Sequence, residues 1–175
     1  MRNTLTASIF LLAGCAGPIE TRVDSIGSNT VRSARYMADT DITGLAAEAQ
    51  ALIAKHLAAK GFRSDDPADF SLHVALSDRL ADISLKGGAA APESKFWKKR
   101  CAKREYRLGI TLTKISDGTI AYKAHASEHH CKRPIAQVMP FLVAAALKDM
   151  GAPSGSYIVK RPRRLRTPAP LATSG

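Results

Sequence analysis

The residues best suited to chemistry in this sequence are three cysteines and a histidine-rich segment beside the last of them. Cys15 follows an apolar run close to the start of the chain, whereas Cys101 and Cys131 lie far from it. The segment HASEHHC (125–131) places three imidazoles before Cys131. A thiol can carry a lipid, close a disulfide or, as a thiolate, bind a metal ion together with imidazoles. The surrounding sequence favours one of these roles for Cys15 and another for the remaining pair.

The segment before Cys15 has the features of a secretory signal, namely Arg2, a short apolar run and then small residues. The run is shorter than the roughly 20 residues that a membrane-spanning helix needs. The four residues LAGC (12–15) resemble the lipobox of bacterial lipoproteins. This resemblance implies that a signal peptide, residues 1–14, is removed, and that Cys15 carries a diacylglycerol on its thiol and an acyl chain such as palmitate on its amine. Because Ala16 and not Asp follows, it also implies an outer-membrane lipoprotein that faces the periplasm.

Export would place the other two cysteines in an oxidising compartment, where an even pair favours a disulfide. Ser116 lies inside a predicted hairpin turn, and Cys101 and Cys131 lie fifteen residues before and after it. Strands that pair about this turn, with a small slip in register or a bulge, bring the cysteines opposite each other at a Cα separation of about 4.5 to 5.5 Å, which a disulfide accepts. We therefore predict a Cys101–Cys131 disulfide, worth on the order of 3 kcal/mol in the chain-entropy model.

A metal site is the alternative use of the same residues. On a strand, His125, His129 and Cys131 share one face, and with Cys101 they form a set of two histidines and two cysteines of the kind that binds zinc. The spacing is not that of a zinc finger, and the sequence has no Cys-x-x-Cys motif to tune a redox thiol. The sequence therefore favours a disulfide without a cofactor, and a periplasmic metal-binding or redox protein is the second interpretation.

Cations cluster on both sides of the proposed disulfide, in a chain whose formal net charge is +11. They are interleaved with the single tryptophan, and a tryptophan ring among cations is typical of a membrane interface. Because export makes nucleic acid an unexpected partner, the predicted contact is anionic lipid or another envelope polyanion; a solvated surface that aids solubility is the other interpretation. The predicted anionic-surface patch consists of Trp97, Lys98, Lys99, Arg100, Lys103, Arg104, Lys132 and Arg133.

The sequence lacks the usual signatures of an enzyme. It contains no Gly-x-Ser-x-Gly motif, no glycine-rich phosphate loop and no carboxylate pair in an apolar setting. Ser71, His73 and Asp78 lie on one predicted strand and cannot converge as a triad. We therefore predict that the chain is not an enzyme.

Hydrophobic periodicity predicts the elements that must position these residues. The predicted elements are a strand (30–38), a helix (43–60), a strand (70–85), a hairpin (106–115 and 119–129) and a helix (135–150). An Asp-Gly turn at 117–118 supports the hairpin, and Pro140 is expected to kink or restart the last helix. This order predicts an α+β fold, in which a largely antiparallel sheet of 3–5 strands carries two helices packed on one face.

Four segments in this order resemble a family of small Gram-negative lipoproteins, the domain-of-unknown-function family four-one-three-six. They are the helix end LAAKGF, the strand DPADFSLHVAL, the hairpin ITLTKISDGTIAYKAHAS and the closing helix. The similarity covers about residues 20–150, and this chain has only Tyr36 where the family has a Tyr/Trp pair near its first strand. The resemblance implies the fold and the location of a lipoprotein. It implies no site residue, since the family has no assigned chemistry.

The predicted organisation has four parts. These are a signal peptide (1–14), a lipidated tether (15–28), a single α+β domain (29–151) and a basic disordered tail (152–175). Within the tether, Ile19, Thr21 and Val23 alternate, which leaves a first edge strand as an alternative. Together they predict a lipoprotein held in the outer membrane by its N-terminal lipid. We expect it to act as a non-catalytic binding or structural accessory module in the periplasm.

Overall fold

The computed structural model describes residues 18–28, 33–81 and 103–162. The six strands of this part form one sheet in the order β2-β3-β4-β5-β1-β6. In chain order the elements are β1 (Ile19–Gly27), β2 (Tyr36–Ala38), α1 (Gly44–Ala59), β3 (Phe70–Leu80), β4 (Arg104–Lys114), β5 (Ile120–His130), α2 (Ile135–Ala146) and β6 (Gly155–Arg161). The α+β class and the two helices are confirmed. The sheet has more strands than the predicted 3–5, and it is mixed because β2 and β3 pair in parallel.

The additional strands come from segments predicted as tether and as disordered tail. β1 lies within 15–28 and β6 within 152–175, and β1 is inserted between β5 and β6 with antiparallel pairing on both sides. The alternation of Ile19, Thr21 and Val23 left a first edge strand open, but β1 is an interior strand. Its local signal is weak because two of its three buried side chains, Thr21 and Ser25, are polar. Its neighbours in the sheet are more than ninety residues away in the chain.

The parallel pair of strands follows from the position of α1 between them. A helix that lies between two neighbouring strands returns the chain to the end of the sheet where it started, so the second strand runs parallel to the first. The segment predicted as a strand over 30–38 contributes only Tyr36–Ala38, and residues 29–32 lie outside the described chain. The helix predicted at 43–60 is confirmed as α1.

The hairpin and the last helix form the centre of the fold. β4 and β5 pair with Arg104 opposite His130 and Leu112 opposite Tyr122, around the predicted Asp-Gly turn. α2 continues through Pro140 as one helix, and so does not restart there as the sequence suggested. Loss of one hydrogen bond at a proline is tolerated here because the helix is buried on both sides of it, at Met139 and Leu142.

Both helices pack against one face of the sheet. Inward-facing residues of β4 and β5 alternate along each strand and join the helices in a single core, which includes Leu108, Ile110, Leu112, Tyr122, Ala124 and Ala126. Full burial of each large aliphatic side chain contributes about 1.5–3 kcal/mol. No described element covers the opposite face of the sheet. Neither of the helices in the described ranges has the length and apolar character needed to span a membrane.

Candidate functional site

Five strands meet at one end of the sheet, which we call the proximal end because it is nearest in the chain to Cys15. β1 and β4 begin there, at Ile19 and Arg104, and β3, β5 and β6 finish there, at Leu80, His130 and Arg161. Ile19 pairs with Arg161, and Arg104 pairs with both Leu80 and His130. The register therefore gathers segments at this end that are widely separated in sequence.

Glu128 is a fully buried carboxylate on the helix-facing side of this end, with no exposed surface. It accepts hydrogen bonds from the Thr21 hydroxyl, from His130 Nε2 at 2.6 Å and from Arg161 Nη2 at 2.6 Å. Burial by itself raises the pKa of the Glu128 carboxyl, but the bonds from His130, Thr21 and Arg161 outweigh it and hold the pKa below its ordinary value. Glu128 therefore stays ionised inside the protein and is occupied by its neighbours.

Aromatic rings enclose this buried group. The Tyr106 ring stacks on the His130 imidazole at a centroid separation of 5.8 Å, and the Tyr106 hydroxyl donates to the Arg133 carbonyl at 2.6 Å. The Arg161 guanidinium lies 3.8 Å from the centroid of the Phe141 ring, a cation–π contact. We call Thr21, Tyr106, Glu128, His130, Phe141 and Arg161 the Glu128 cluster. Its contacts tie β1, β4, β5, β6 and α2 together.

The described members of the predicted anionic-surface patch all lie at the proximal end. Lys103 directly precedes β4, Arg104 is its first residue, and Lys132 and Arg133 follow β5. Lys103 and Lys132 are exposed, while Arg104 is paired with Asp78 at 2.6 Å. The remaining predicted members, Trp97, Lys98, Lys99 and Arg100, fall outside the described residues.

Further cations, which the patch prediction did not include, reach this end on β1, β3, β4 and β6. Arg79 and Arg107 both pair with the buried Glu105, at 2.5 and 3.1 Å, and Lys160 pairs with Glu20 at 3.5 Å. Burial raises the pKa of the Glu105 carboxyl, but hydrogen bonds from Arg79 and Arg107 hold it below its ordinary value. We count the four residues of each of the five strands that lie nearest the proximal end, together with the described residues that adjoin them. This region contains nine cations: Arg22, Arg79, Lys103, Arg104, Arg107, Lys132, Arg133, Lys160 and Arg161. The same region contains four carboxylates: Glu20, Asp78, Glu105 and Glu128.

Cys131 directly follows β5 and is disulfide-bonded. Its partner lies outside the described residues, as does Cys101, so the Cys101–Cys131 pairing stays a prediction. Arg104 is opposite His130, so the same register continued by one residue pair would place Lys103 opposite Cys131. Cys101 comes two residues earlier in the chain than that position, an offset within the slip that the sequence analysis allowed.

The two histidines of the alternative metal set lie on one face of the sheet, and the third histidine of the segment, His130, lies on the other. His125 and His129 share the open face, as the strand pattern predicted, whereas His130 points to Glu128 on the helix side. Within the described ranges, no group of three or more histidine, cysteine, aspartate or glutamate residues is arranged to hold a metal ion. The proposed fourth ligand, Cys101, lies outside those ranges.

A second polar cluster lies at the opposite, distal end of the sheet, where α2 leads into β6. Asp149 accepts hydrogen bonds from the Ser25 hydroxyl at 2.5 Å, the Tyr122 hydroxyl at 2.9 Å and the Ser154 N–H at 2.8 Å. Burial raises the pKa of the Asp149 carboxyl, but bonds from Ser25, Ser154 and Tyr122 lower it below its ordinary value. The Tyr157 hydroxyl donates to the Ala145 carbonyl at 3.0 Å. We call Ser25, Tyr122, Asp149, Ser154 and Tyr157 the Asp149 cluster.

A shallow depression lies on the open face, across β5, β1 and β6. Its volume is about 350 Å³, and it is lined by Asp24, Ser25, Ile26, Lys123, His125, Gly155 and Ser156. The His125 ring rests on Gly109, where an added Cβ would approach Nδ1 to 3.1 Å. Burial, followed by the charges of Lys123 and Arg107, lowers the pKa of His125. The depression is open to solvent and brings together no acid–base pair joined by a hydrogen bond.

Comparisons with known proteins give a likeness of fold and nothing more specific. No family model matches the chain, and no curated protein matches it, so the lipoprotein resemblance stays a prediction. Among solved structures, a PelC dodecamer from Paraburkholderia phytofirmans is 15% identical with a TM-score of 0.46, covering 75% of this chain and 99% of that one. A PDZ domain protein from Parabacteroides distasonis is 12% identical with a TM-score of 0.50, covering 82% of this chain and 39% of that one. The chain therefore spans well under half the length of the latter protein, with which it shares a fold.

Proposed function

We propose that this chain is a lipid-anchored envelope lipoprotein that faces the periplasm from the outer membrane and acts by binding, without catalysis. The observation that carries the proposal is the short distance in sequence between the lipobox-like cysteine and the fold. β1 begins at Ile19, four residues after Cys15, and is paired on both sides by β5 and β6. Cleavage before Cys15 would leave every described residue in the mature protein. The lipid would then be held within about 14 Å of the sheet, given an extended span of about 3.5 Å per residue.

The state of the buried and partly buried acidic groups supports a binding role over catalysis. A general acid or base needs a lone pair or a proton directed at a substrate. Glu105, Glu128 and Asp149 instead direct their carboxylates at donors on neighbouring strands and turns. These groups stabilise the fold and leave the exposed surface to make contacts with partners.

Cys131 supports the binding role over the metal or redox alternative. A sulfur in a disulfide has no thiolate to donate to zinc. In addition, the imidazole nearest to it in sequence, His130, is bonded to the buried Glu128. We therefore include a Cys101–Cys131 disulfide in the proposal, as a covalent link across the open end of the hairpin.

The test is an intact-mass measurement on the full chain, expressed in a Gram-negative host and extracted from membranes. We expect a mature mass that begins at Cys15 and includes a diacylglycerol and an acyl chain. The Cys15→Ser variant and treatment with an inhibitor of the lipoprotein signal peptidase should both leave the precursor uncleaved. A membrane-free chain that starts at Met1 or is cut without added lipid would contradict the proposal.

The same sample tests the disulfide. We expect no alkylation of Cys101 or Cys131 under denaturing conditions until a reductant is added. Two freely alkylated thiols, with one zinc ion retained in the native mass spectrum, would favour the metal-binding alternative.

A further inference from the structure

The position of the proposed lipid anchor coincides with the excess of positive charge. Ile19 opens β1 at the proximal end, four residues after Cys15, and β1 lies between β5 and β6. The ends of those two neighbours carry His130 and Arg161. A membrane that holds Cys15 would therefore lie directly against the proximal end of the sheet.

Charge at this end favours an anionic surface. The nine cations and four carboxylates described above give it an excess of five positive charges. The strand ends and turns of the distal end are close to balance, with Arg35, Lys60, Arg63, Lys114, Lys123 and Lys148 against Asp65, Asp66, Asp69, Asp117 and Asp149. Asp39 and Asp41 are not included in this count, because they follow the edge strand β2, which is separated from β1 by β3, β4 and β5.

Several of the proximal cations are available to bind phosphate. Lys103, Lys132 and Arg22 are exposed and form no ion pair with a carboxylate of the described chain. Arg79 and Arg104 are paired with carboxylates, but about half of each side chain is exposed. A guanidinium in such a pair keeps further N–H groups that can donate to a phosphate oxygen.

We propose that the proximal end is a membrane-docking surface whose cations bind the phosphates of anionic phospholipids in the leaflet that holds the Cys15 lipid. This inference rests on the proposed function, because the anchor keeps the surface at high local concentration beside the headgroups. Docking at this end orients the strands roughly along the membrane normal. The distal end, with the 115–119 turn, then projects away from the bilayer and is free to meet other partners.

The experiment is residue-resolved amine labelling of the lipidated full chain reconstituted in vesicles. One set of vesicles contains phosphatidylcholine alone, and the other contains about 30 % phosphatidylglycerol. Peptide mass spectrometry reads the labelling rate of Lys103, Lys132 and Lys160 at the proximal end, and of Lys114 and Lys148 at the distal end. We expect the proximal lysines to be labelled about threefold more slowly in the anionic vesicles, and the distal lysines to be labelled equally in both. Salt at about 0.5 M should remove the difference, because it shortens the screening length to a few ångströms.

Matched charge reversals complete the test. The double variant Lys103→Glu/Lys132→Glu should abolish the protection of Lys160, whereas Lys114→Glu/Lys148→Glu, an equal change of charge at the distal end, should preserve it. Equal labelling in the two kinds of vesicle, or equal protection at both ends, overturns the inference. If the intact mass shows no lipid on Cys15, the proposed function fails; a lipidated chain without selective protection refutes only the docking surface.

Discussion

Glu128 and Asp149 lie at opposite ends of the sheet and each receive hydrogen bonds from three groups, but the donors differ in charge. Glu128 is fully buried, and two of its donors, His130 and Arg161, are basic side chains. Asp149 is partly exposed, and its donors are two hydroxyls and a backbone N–H. A carboxylate removed entirely from water requires a cation to offset its desolvation, whereas one that keeps some water can be held by neutral donors.

Both clusters hold β1 in the sheet. Thr21 bonds to Glu128 at one end of the strand, and Ser25 bonds to Asp149 at the other. β6 also contributes at both ends, because Arg161 donates to Glu128 and Tyr157 donates to the Ala145 carbonyl of α2. The comparison therefore predicts that substitutions at the two ends will loosen the same strand by different amounts.

The largest effect is expected when the Glu128 carboxylate is removed. Glu128→Ala leaves the Arg161 guanidinium buried without its counter-charge, and should lower the free energy of unfolding by about 3–5 kcal/mol. Urea denaturation followed by circular dichroism gives the value. Glu128→Gln, which keeps the shape and one acceptor, should cost less than the alanine. If Glu128→Ala changes stability by less than about 1 kcal/mol, the guanidinium is not in a buried pair.

Asp149→Asn should have a smaller effect than Glu128→Ala. It removes a charged acceptor from the Ser25, Tyr122 and Ser154 donors, and should lower the free energy of unfolding by about 1–3 kcal/mol. Water at this partly exposed site can satisfy some of the donors. The same urea titration measures this decrease in the free energy of unfolding. A decrease equal to that of Glu128→Ala would mean that the different exposure of the two carboxylates has no effect on stability.

The two hydroxyl donors of β1 sharpen the comparison. Thr21→Val keeps the side-chain shape but removes a donor that no water can replace, so it should cost about 1.5–3 kcal/mol. Ser25→Ala should cost about 0.5–1.5 kcal/mol, because Asp149 can accept from water. Hydrogen exchange at the β1 amides, measured alongside urea unfolding, shows whether the loss is confined to this strand. Equal losses for the two variants would contradict the argument.

The smallest effect is expected in the pH dependence of stability. The folded-state pKa values of Glu128 and Asp149 lie below those of the unfolded chain, so both contribute stability above the ordinary carboxyl range. As the pH falls through that range the unfolded chain binds more protons, and stability declines. Unfolding free energies measured from about pH 6 to about pH 3 should fall less steeply in Glu128→Gln than in the natural chain. Identical slopes would show that Glu128 does not titrate with a lowered pKa.

Elements with local apolar periodicity could be predicted from the sequence. α1, β3, the β4–β5 hairpin and α2 were predicted because each buries apolar residues at a regular spacing, such as Leu108, Ile110 and Leu112 in β4. The hairpin also brought the described patch members Lys103, Arg104, Lys132 and Arg133 to one end, since its turn determines which residues face each other.

The residues of the Glu128 cluster were missed for a physical reason. Hydrophobic patterning treats a buried Glu, His or Arg as a sign of exposure, although Glu128 and His130 share the inward face with Tyr122, Ala124 and Ala126. That shared alternation is the signal that could have placed them inside. Their partners, Thr21 and Arg161, lie on strands whose own pattern is polar, so nothing local joined the four residues.

The sequence by itself determined the helices, the hairpin, the excess of positive charge and the lipobox-like start of the chain, because these depend on short-range spacing and composition. Only the tertiary structure decided that β1 and β6 complete the sheet, that β2 and β3 run in parallel, and that Arg22, Arg79, Arg107, Lys160 and Arg161 join the predicted cations at the proximal end. These features depend on pairing between segments far apart in the chain. Their energy comes from burial and buried ion pairs that exist only once the distant strands have met.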